Sequence, residues 1–597
     1  MSDARRLGSR LLPVLLATVL AGCATIPTSG PVRAGGDIGL ARAEDRVAPI
    51  GQAPIKGANP EDIVLGFLQS NADFVNDHEV ARKYLTPLAR QRWRPQAGTA
   101  VYDQVAAPLA VRTSADGSDV AVDGAEVGRI DADGSFARSA PDRTVTRDFG
   151  LQRVDGEWRI DRLDDGLLLP LAEVGETYRQ LSLYFLGPSG HTLVPDTVLL
   201  PGVPGLTTKL IARLLRGPTA SLRGAVTTAF PPGTGLEVNS VAVRGGLATV
   251  QLDSSALQVD DDAREQMCAQ IVWTLKQLPE VQQVRVTAGG DSPLLPGVSE
   301  DVNHDPWPTY DPDDLPASPS AYVVKDVGGP GHGRIGRYLN GSFEPVPGGG
   351  GTGPVDLRTP AVTLDATRLA AVSTDGRTVY VGPLARGGLL RARITGTDFS
   401  QPSWDPGNNL WVVDRATGQV WYLADGADQP RPVTVAPLGT AGRPVAVSVA
   451  RDGARVALVV GNGRQARLRL LAVRRVETAD TTVTGGVEVS LAEPRDPLPD
   501  LRAVRDVSWA DATTLAVLGS RGGAPVIPYY VDTDGYDIIE GEPVPDPVSI
   551  TAASPPRQAQ ENPLIVGTAG PDPRLLQFTS GSGWQPIGPG SDPAYPG

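Results

Sequence analysis

The apolar positions change their spacing three times along the chain, and each change predicts a change of architecture. The first apolar stretch, Leu11–Leu20, is continuous except for Pro13 and Thr18 and follows Arg5, Arg6 and Arg10. It has the length of a secretory core and is too short to span a bilayer. Residues 24–58 are rich in Pro, Gly and Ala with no sustained period, which predicts a flexible tether over 23–58. Helical spacing begins at Asn59-Pro60-Glu61-Asp62, with a capping amide, Pro at the first helical position and acids in the first turn. Val64, Phe67 and Leu68 then share one face. A second helix is predicted from Asp77, with Val80, Ala81, Tyr84 and Leu85 in register, stopping at Thr86-Pro87. After Trp93 the period shortens to two. Val101–Val111, Asp119–Ile130 and Thr144–Val154 read as strands, and Arg153–Ile160 reads as a hairpin turning at Asp155-Gly156. Helices followed by an antiparallel sheet predict an α+β domain over 59–170.

The pattern then repeats in a different order. Leu181–Leu186 reads as a strand, and Leu206, Leu210, Ile211, Leu214 and Leu215 form one helix face that ends at Gly217-Pro218. A strand pair turns at Gly245-Gly246 and ends in Ala248–Asp253. A helix opens on the acids Asp260–Asp262, burying Met267, Ile271, Leu275 and Leu278, before a strand at Val284–Val286. This is a second α+β domain, over 178–295. Residues 296–320 hold too much Pro and acid for an element and are expected to be a linker. From Ala321 to the end the sequence offers only short strands and turns. A loose unit of strand, Asp-containing turn and Val/Ala/Leu strand recurs at Val372–Gly376, Pro402–Pro406, Val449–Gly453 and Val507–Asp511. Such repetition without intervening helices predicts a β-propeller over 321–597, its blade number open; a β-sandwich fits the length and the repeat less well.

Composition narrows the compartment. Two cysteines occur, Cys23 and Cys268. The first closes Leu20-Ala21-Gly22-Cys23, an order that resembles the lipobox of bacterial lipoproteins. The resemblance implies cleavage between Gly22 and Cys23, S-diacylglyceryl and N-acyl groups on Cys23, and a mature chain held on the extracytoplasmic face of the cell membrane. More than one acyl chain is what firm anchorage needs. A plain signal peptide with a chance cysteine is the alternative. With Cys23 acylated, Cys268 is left without a partner for an internal disulfide, so each domain must rely on its own core. The formal charge of −14 argues against nucleic acid as a partner and leaves membrane binding to the lipid. Basic positions are nearly all Arg, a compositional hint of a GC-rich, actinobacterial genome.

Candidate chemistry is sparse. The four histidines, His78, His191, His304 and His332, lie at no helical pairing distance, and no cysteine cluster accompanies them, so neither a zinc site nor a His-based triad is expected. No metal ion and no cofactor is expected. Gly348–Gly353 lacks the Lys of a phosphate loop and reads as a flexible connection with no helix. Asp532-Thr533-Asp534-Gly535-Tyr536-Asp537 looks like half a calcium loop, but Pro543 stands where the bidentate Glu belongs, and a hairpin turn is the better reading. Cys268 is read as a buried small hydrophobe, and Trp404 and Trp509 as packing residues at equivalent blade positions. No catalytic residue is assigned, and the chain is read as a non-enzyme.

Several resemblances extend this reading. The order of elements over 59–170 resembles NTF2-like domains. Leu214-Leu215-Arg216-Gly217-Pro218, Pro232-Gly233-Thr234, Ala248–Asp253 and Gln270–Leu275 resemble the GerMN domain of spore-germination and envelope proteins. Lipobox, tether, NTF2-like domain, GerMN-like domain and propeller, in that order, resemble the actinobacterial LpqB lipoproteins. That resemblance implies an accessory protein that contacts the extracytoplasmic domain of a sensor histidine kinase of the MtrB kind and modulates the MtrAB two-component system in envelope homeostasis and division. Two rivals stand beside it. One is a receptor for a cell-wall ligand such as a peptidoglycan fragment. The other is a propeller hydrolase of envelope polymers, which needs two carboxylates converging at the propeller mouth.

Overall fold

The structure is a computed structural model that describes residues 51–290, 292–295, 307–314, 320–326, 333–339, 341–477, 487–554, 563–570 and 573–597. Gly22, Cys23, His304 and His332 lie outside the described residues, as does most of the segment read as a tether. Residues 48–597 form one compact unit.

Asn59 caps the helix Pro60–Gln69 by accepting a hydrogen bond from the Asp62 amide, and Ile63, Val64, Phe67 and Leu68 are buried. They pack on a curved sheet whose spine is the long strand Asp119–Asp131, flanked by Thr144–Val154 on one side and Gly98–Tyr102 on the other. Two expectations need correction here. The helix expected from Asp77 is a single turn, Glu79–Arg82, and Thr86-Pro87 opens another helix, Pro87–Arg92, because the Thr86 hydroxyl caps the Ala89 amide. The strand expected over Val101–Val111 ends at Tyr102, where Asp103 turns the chain by accepting from the Val105 and Ala106 amides. Residues 51–58 pack onto this domain: the Tyr84 hydroxyl donates to the Gln52 carbonyl and Asp73 accepts from the Gly51 amide.

The second domain begins with the hairpin Tyr178–Leu186 and Leu193–Pro201. The helix Asp261–Leu275, capped by Asp260, lies against that hairpin, and its Gln270 side chain donates to the Tyr184 carbonyl. The strands Ala242–Arg244, Leu247–Leu252 and Gln283–Ala288 complete it. Trp307 and Tyr310, from the stretch read as a linker, are buried in this domain's core.

The carboxy-terminal region is a six-bladed propeller among the described residues. Blade 1 combines Tyr322–Asp326, Gly333–Leu339 and Ser342–Pro345 with the last strand of the chain, Ser591–Ala594. Blades 2 to 6 have their inner strands at Leu357–Val362, Ser403–Trp404, Pro444–Val449, Leu501–Trp509 and Pro547–Ala552. Each inner strand packs beside the next, and the last returns to Ser591–Ala594, so the ring is closed. The recurrent Asp sits in the turn after the inner strand: Asp365, Asp405, Asp452 and Asp511 each accept from the amide two residues on, at 3.1, 2.9, 2.8 and 2.8 Å. The Val372–Gly376 stretch, read as the same unit, lies one turn later, between the second and third strands of blade 2. Trp404 and Trp509 are equivalent: their indoles donate to Ala361 and Ser448 on the preceding inner strand, each at 3.1 Å. Gly349–Thr352 forms one helical turn where a flexible connection was expected. Gly350 and Gly351 are buried there, and a Cβ on either would collide with Leu369 or with the Val346 carbonyl.

The two α+β domains dock on the propeller face where the inner strands end, through apolar contacts at Ala454, Ala472 and Tyr536 and through many buried polar groups. Arg455, buried beside Asp452, also reaches the Pro195 and Ala512 carbonyls. Asp313 accepts from the Ala512 amide and the Ser554 hydroxyl, both at 2.8 Å, and Arg451 donates to the same hydroxyl. Gln180 donates to Asp532 and Asp534 at 2.9 and 3.1 Å, while Arg138 donates to the Gly535 carbonyl and Tyr536 packs edge-on against Phe136. The sequence 532–537 is thus the hairpin turn expected of it, and it is also a peg seated against both smaller domains.

Burial, with Asp534 beside it, raises the Asp532 carboxyl from 3.8 to about 7. A folded-state pKa above the unfolded value means that the folded chain binds this proton more tightly. Ionisation therefore costs stability that grows as pH climbs from about 4 to about 7 and is constant above that range. Asp532→Asn removes that cost, by on the order of a few kcal/mol at pH 8. Its urea midpoint is expected above that of the parent protein at pH 8, with the gap closing towards pH 4. A gap of the same size at both pH values would refute the assignment.

Candidate functional site

The opposite face of the propeller, where the inner strands begin, carries none of the docking contacts just described. A cavity of about 560 Å³ opens there, with Thr359, Gln401, Arg415, Asp506, Ser549 and Asp592 among its polar lining. These side chains come from the starts of five inner strands or the turns beside them, so ring closure is what brings them together. Their positions are far apart in sequence, which is why no motif revealed them.

The polar groups of the mouth are largely engaged with the ring. Asp506 accepts from the Val507 amide at 2.9 Å and, across to blade 6, from the Ile550 amide at 2.8 Å. Burial raises its carboxyl to about 7 against the opposing pull of those amides and of Arg415, and Asp592 adds to the rise. Arg415 donates to the Val445 carbonyl at 3.2 Å and lies 3.7 Å from Asp398, which also takes Arg358 at 3.0 Å. Burial lowers the Arg415 guanidinium. Gln401 donates to the Pro360 carbonyl at 3.0 Å, and Ser591 donates to Asp592 at 2.8 Å.

Two carboxylates near one another at a propeller mouth are the minimum a glycosidase needs. Here both oxygens of Asp506 already accept backbone amides, which suits a brace between blades 5 and 6 more than an acid or a nucleophile. The mouth is built to hold its shape and to offer hydrogen-bonding groups to a visitor. Its size lies within the range of small-molecule sites.

The residues weighed in the sequence fall elsewhere. His78 is buried between Phe74 and Trp93, with ring centroids at 4.8 and 5.9 Å. Burial is the main cause that lowers it to about 4, so it stays neutral inside the first domain. His191 is exposed. Cys268 is buried and free, its thiol raised to about 12 by burial. Among the described residues no group of three or more His, Cys, Asp or Glu side chains is placed to hold a metal ion, and no helix is long and apolar enough to cross a membrane.

Comparison with known proteins places this architecture. Residues 53–175 match the family model of the lipoprotein LpqB N-terminal domain, residues 182–293 that of a sporulation and spore germination domain, and residues 333–596 that of the lipoprotein LpqB beta-propeller domain. Lipoprotein LpqB of Thermobifida fusca is 32% identical over 100% of both chains. Lipoprotein LpqB of Streptomyces avermitilis is 31% identical over 97% of both. Among solved structures, TolB from Acinetobacter baumannii aligns with a TM-score of 0.36 at 13% identity, over 54% of this chain and 84% of that one. With all three of its domains matched in order and full-length relatives above 30% identity, the chain belongs to the LpqB family, whose members are lipid-anchored lipoproteins of the extracytoplasmic membrane face.

Proposed function

We propose that this protein is a non-catalytic accessory of a two-component system, anchored through lipid on Cys23. It would contact the extracytoplasmic region of an MtrB-like sensor histidine kinase and so modulate MtrAB signalling in envelope homeostasis and division. One observation carries the proposal: the chain's own two α+β domains cover one face of the propeller, and the face with the open mouth is left for a partner. Family membership supports the lipoprotein part of the reading, and the engaged carboxylates at the mouth weigh against hydrolysis. Anchoring both partners in one membrane raises their effective concentration, so a modest affinity suffices.

The mouth also favours a second reading, a receptor for a cell-wall ligand such as a peptidoglycan fragment. Its volume and polar lining fit a small hydrophilic molecule.

Two experiments test the proposal. Cys23→Ala is expected to abolish metabolic lipid labelling and to release the protein from the membrane fraction; a variant that still labels would remove Cys23 as the anchor. Residues 48–597 are expected to bind the purified kinase sensor region saturably, with Val548→Glu weakening the complex about tenfold, since Val548 lies on the rim of the mouth and is 43% exposed. Separate domains are poor reagents, because cutting between them exposes the polar junction. Full kinase binding by the variant would move the contact off this face, and saturable binding of a muropeptide with none of the kinase would favour the second reading.

A further inference from the structure

A second cavity, of about 400 Å³, lies where the chain passes from blade 4 to blade 5, under residues 137–141 of the first domain. Four arginines line it: Arg138 from the first domain, Arg467 at the start of the third strand of blade 4, Arg495 at the end of that blade's outer strand and Arg502 at the start of the inner strand of blade 5. Many arginines of this acidic protein stand against carboxylates: Arg82, Arg94, Arg129, Arg162, Arg455 and Arg521 are examples. None of the four in the cleft forms such an ion pair among the described residues. Arg138, Arg495 and Arg502 donate to backbone carbonyls, of Gly535, Phe136 and Leu501 at 2.9, 2.7 and 2.9 Å. The Arg467 side chain donates to no acceptor among the described residues, and burial, then the charge of Arg502, lowers its pKa against the opposing pull of Asp496.

Two carboxylates share the cleft. Asp496 is held by Arg469, and Asp534 accepts from Gln180 and the Tyr536 amide. The lining therefore keeps two positive charges in excess. Bringing four guanidinium groups together against only two carboxylates costs free energy by mutual repulsion, and an oxyanion between them offsets that cost. The planar forks of Arg467 and Arg502 suit the tetrahedral oxygens of phosphate.

We propose that this cleft binds a phosphate monoester or a comparable phosphate-bearing group. A dianion would neutralise the excess charge, and the volume admits a small organic phosphate and little more. In a protein of net charge −14, long-range attraction gives an anion no help. Recognition must then come from the cleft itself. The phosphate could arrive on a soluble molecule or on a lipid headgroup, and the same four arginines would read either. The site is separate from the propeller mouth, so it stands or falls independently of the kinase contact.

The test uses residues 48–597, which form a compact unit with their own cores, and glycerol 1-phosphate as the probe, followed by calorimetric titration with glycerol as control. The parent protein is expected to bind glycerol 1-phosphate saturably, with a Kd of about 1 mM or tighter, and not glycerol. Arg467→Ala combined with Arg502→Ala should weaken binding at least tenfold while leaving the near-ultraviolet dichroism and melting profile unchanged. These two are chosen because Arg138 and Arg495 also bridge the domains. In parallel, vesicles of phosphatidylcholine with and without phosphatidic acid, a monoester lipid, distinguish the source. Sedimentation with phosphatidic acid vesicles that is lost in the double variant assigns the site to headgroups, and binding confined to the soluble probe assigns it to free phosphate compounds. Equal affinity in the double variant, or no saturable binding to either probe, overturns the proposal.

Discussion

Ring closure is the constraint on which the other features rest. Ser591–Ala594, the last strand among the described residues, pairs with Tyr322–Asp326 to complete the first blade, so the two ends of the 273-residue stretch from Tyr322 to Ala594 are fixed to each other. An open ring would leave two unpaired strand edges, the usual route to aggregation. Closure also fixes where the chain enters. The segment just before blade 1 is clamped through Trp307 and Tyr310 into the second domain and through Asp313 onto blades 5 and 6. The position of the smaller domains and the completion of the ring therefore depend on each other.

The junction between domains carries hydrogen-bonded charges beside its apolar contacts. Burying Arg455, Asp452, Asp313 and Asp532 costs desolvation, which the raised carboxyls of Asp313 and Asp532 register, to about 6 and about 7. Such contacts contribute little net stability, but they tolerate very few alternative dockings, since any shift leaves a charge unpaired. The outcome is functional. One propeller face is committed to the protein's own domains, and the other is presented with its mouth open.

Much of this was legible in the sequence because it is written in local signals. The Asn59 and Asp260 caps, the helix face from Leu206 to Leu215 and the turn at Gly245-Gly246 are decided within a few residues of one another. The turn Asp of blades 3, 4 and 5 was visible for the same reason, as a side chain that satisfies its own turn, whereas in blade 2 the reading fell one turn late. What stayed hidden depends on distant partners. The Gly349–Thr352 turn exists because Leu369 and Val346 close around glycines that have no side chain. The helix at Glu79 is cut short although its apolar spacing runs on to Leu85. The mouth and the arginine cleft are each assembled from stretches far apart in sequence, and no spacing rule connects Arg138 to Arg502 or Thr359 to Asp592. Reading 532–537 as a turn was right for the local backbone and silent about the peg it forms.

The central claim is that three domains behave as one unit because the closed ring and the polar junction hold each other in place. Differential scanning calorimetry of residues 48–597 tests it most directly. The account predicts a single transition whose van't Hoff and calorimetric enthalpies agree. An early, separate melting of the two α+β domains, with the propeller unfolding later on its own, would contradict it.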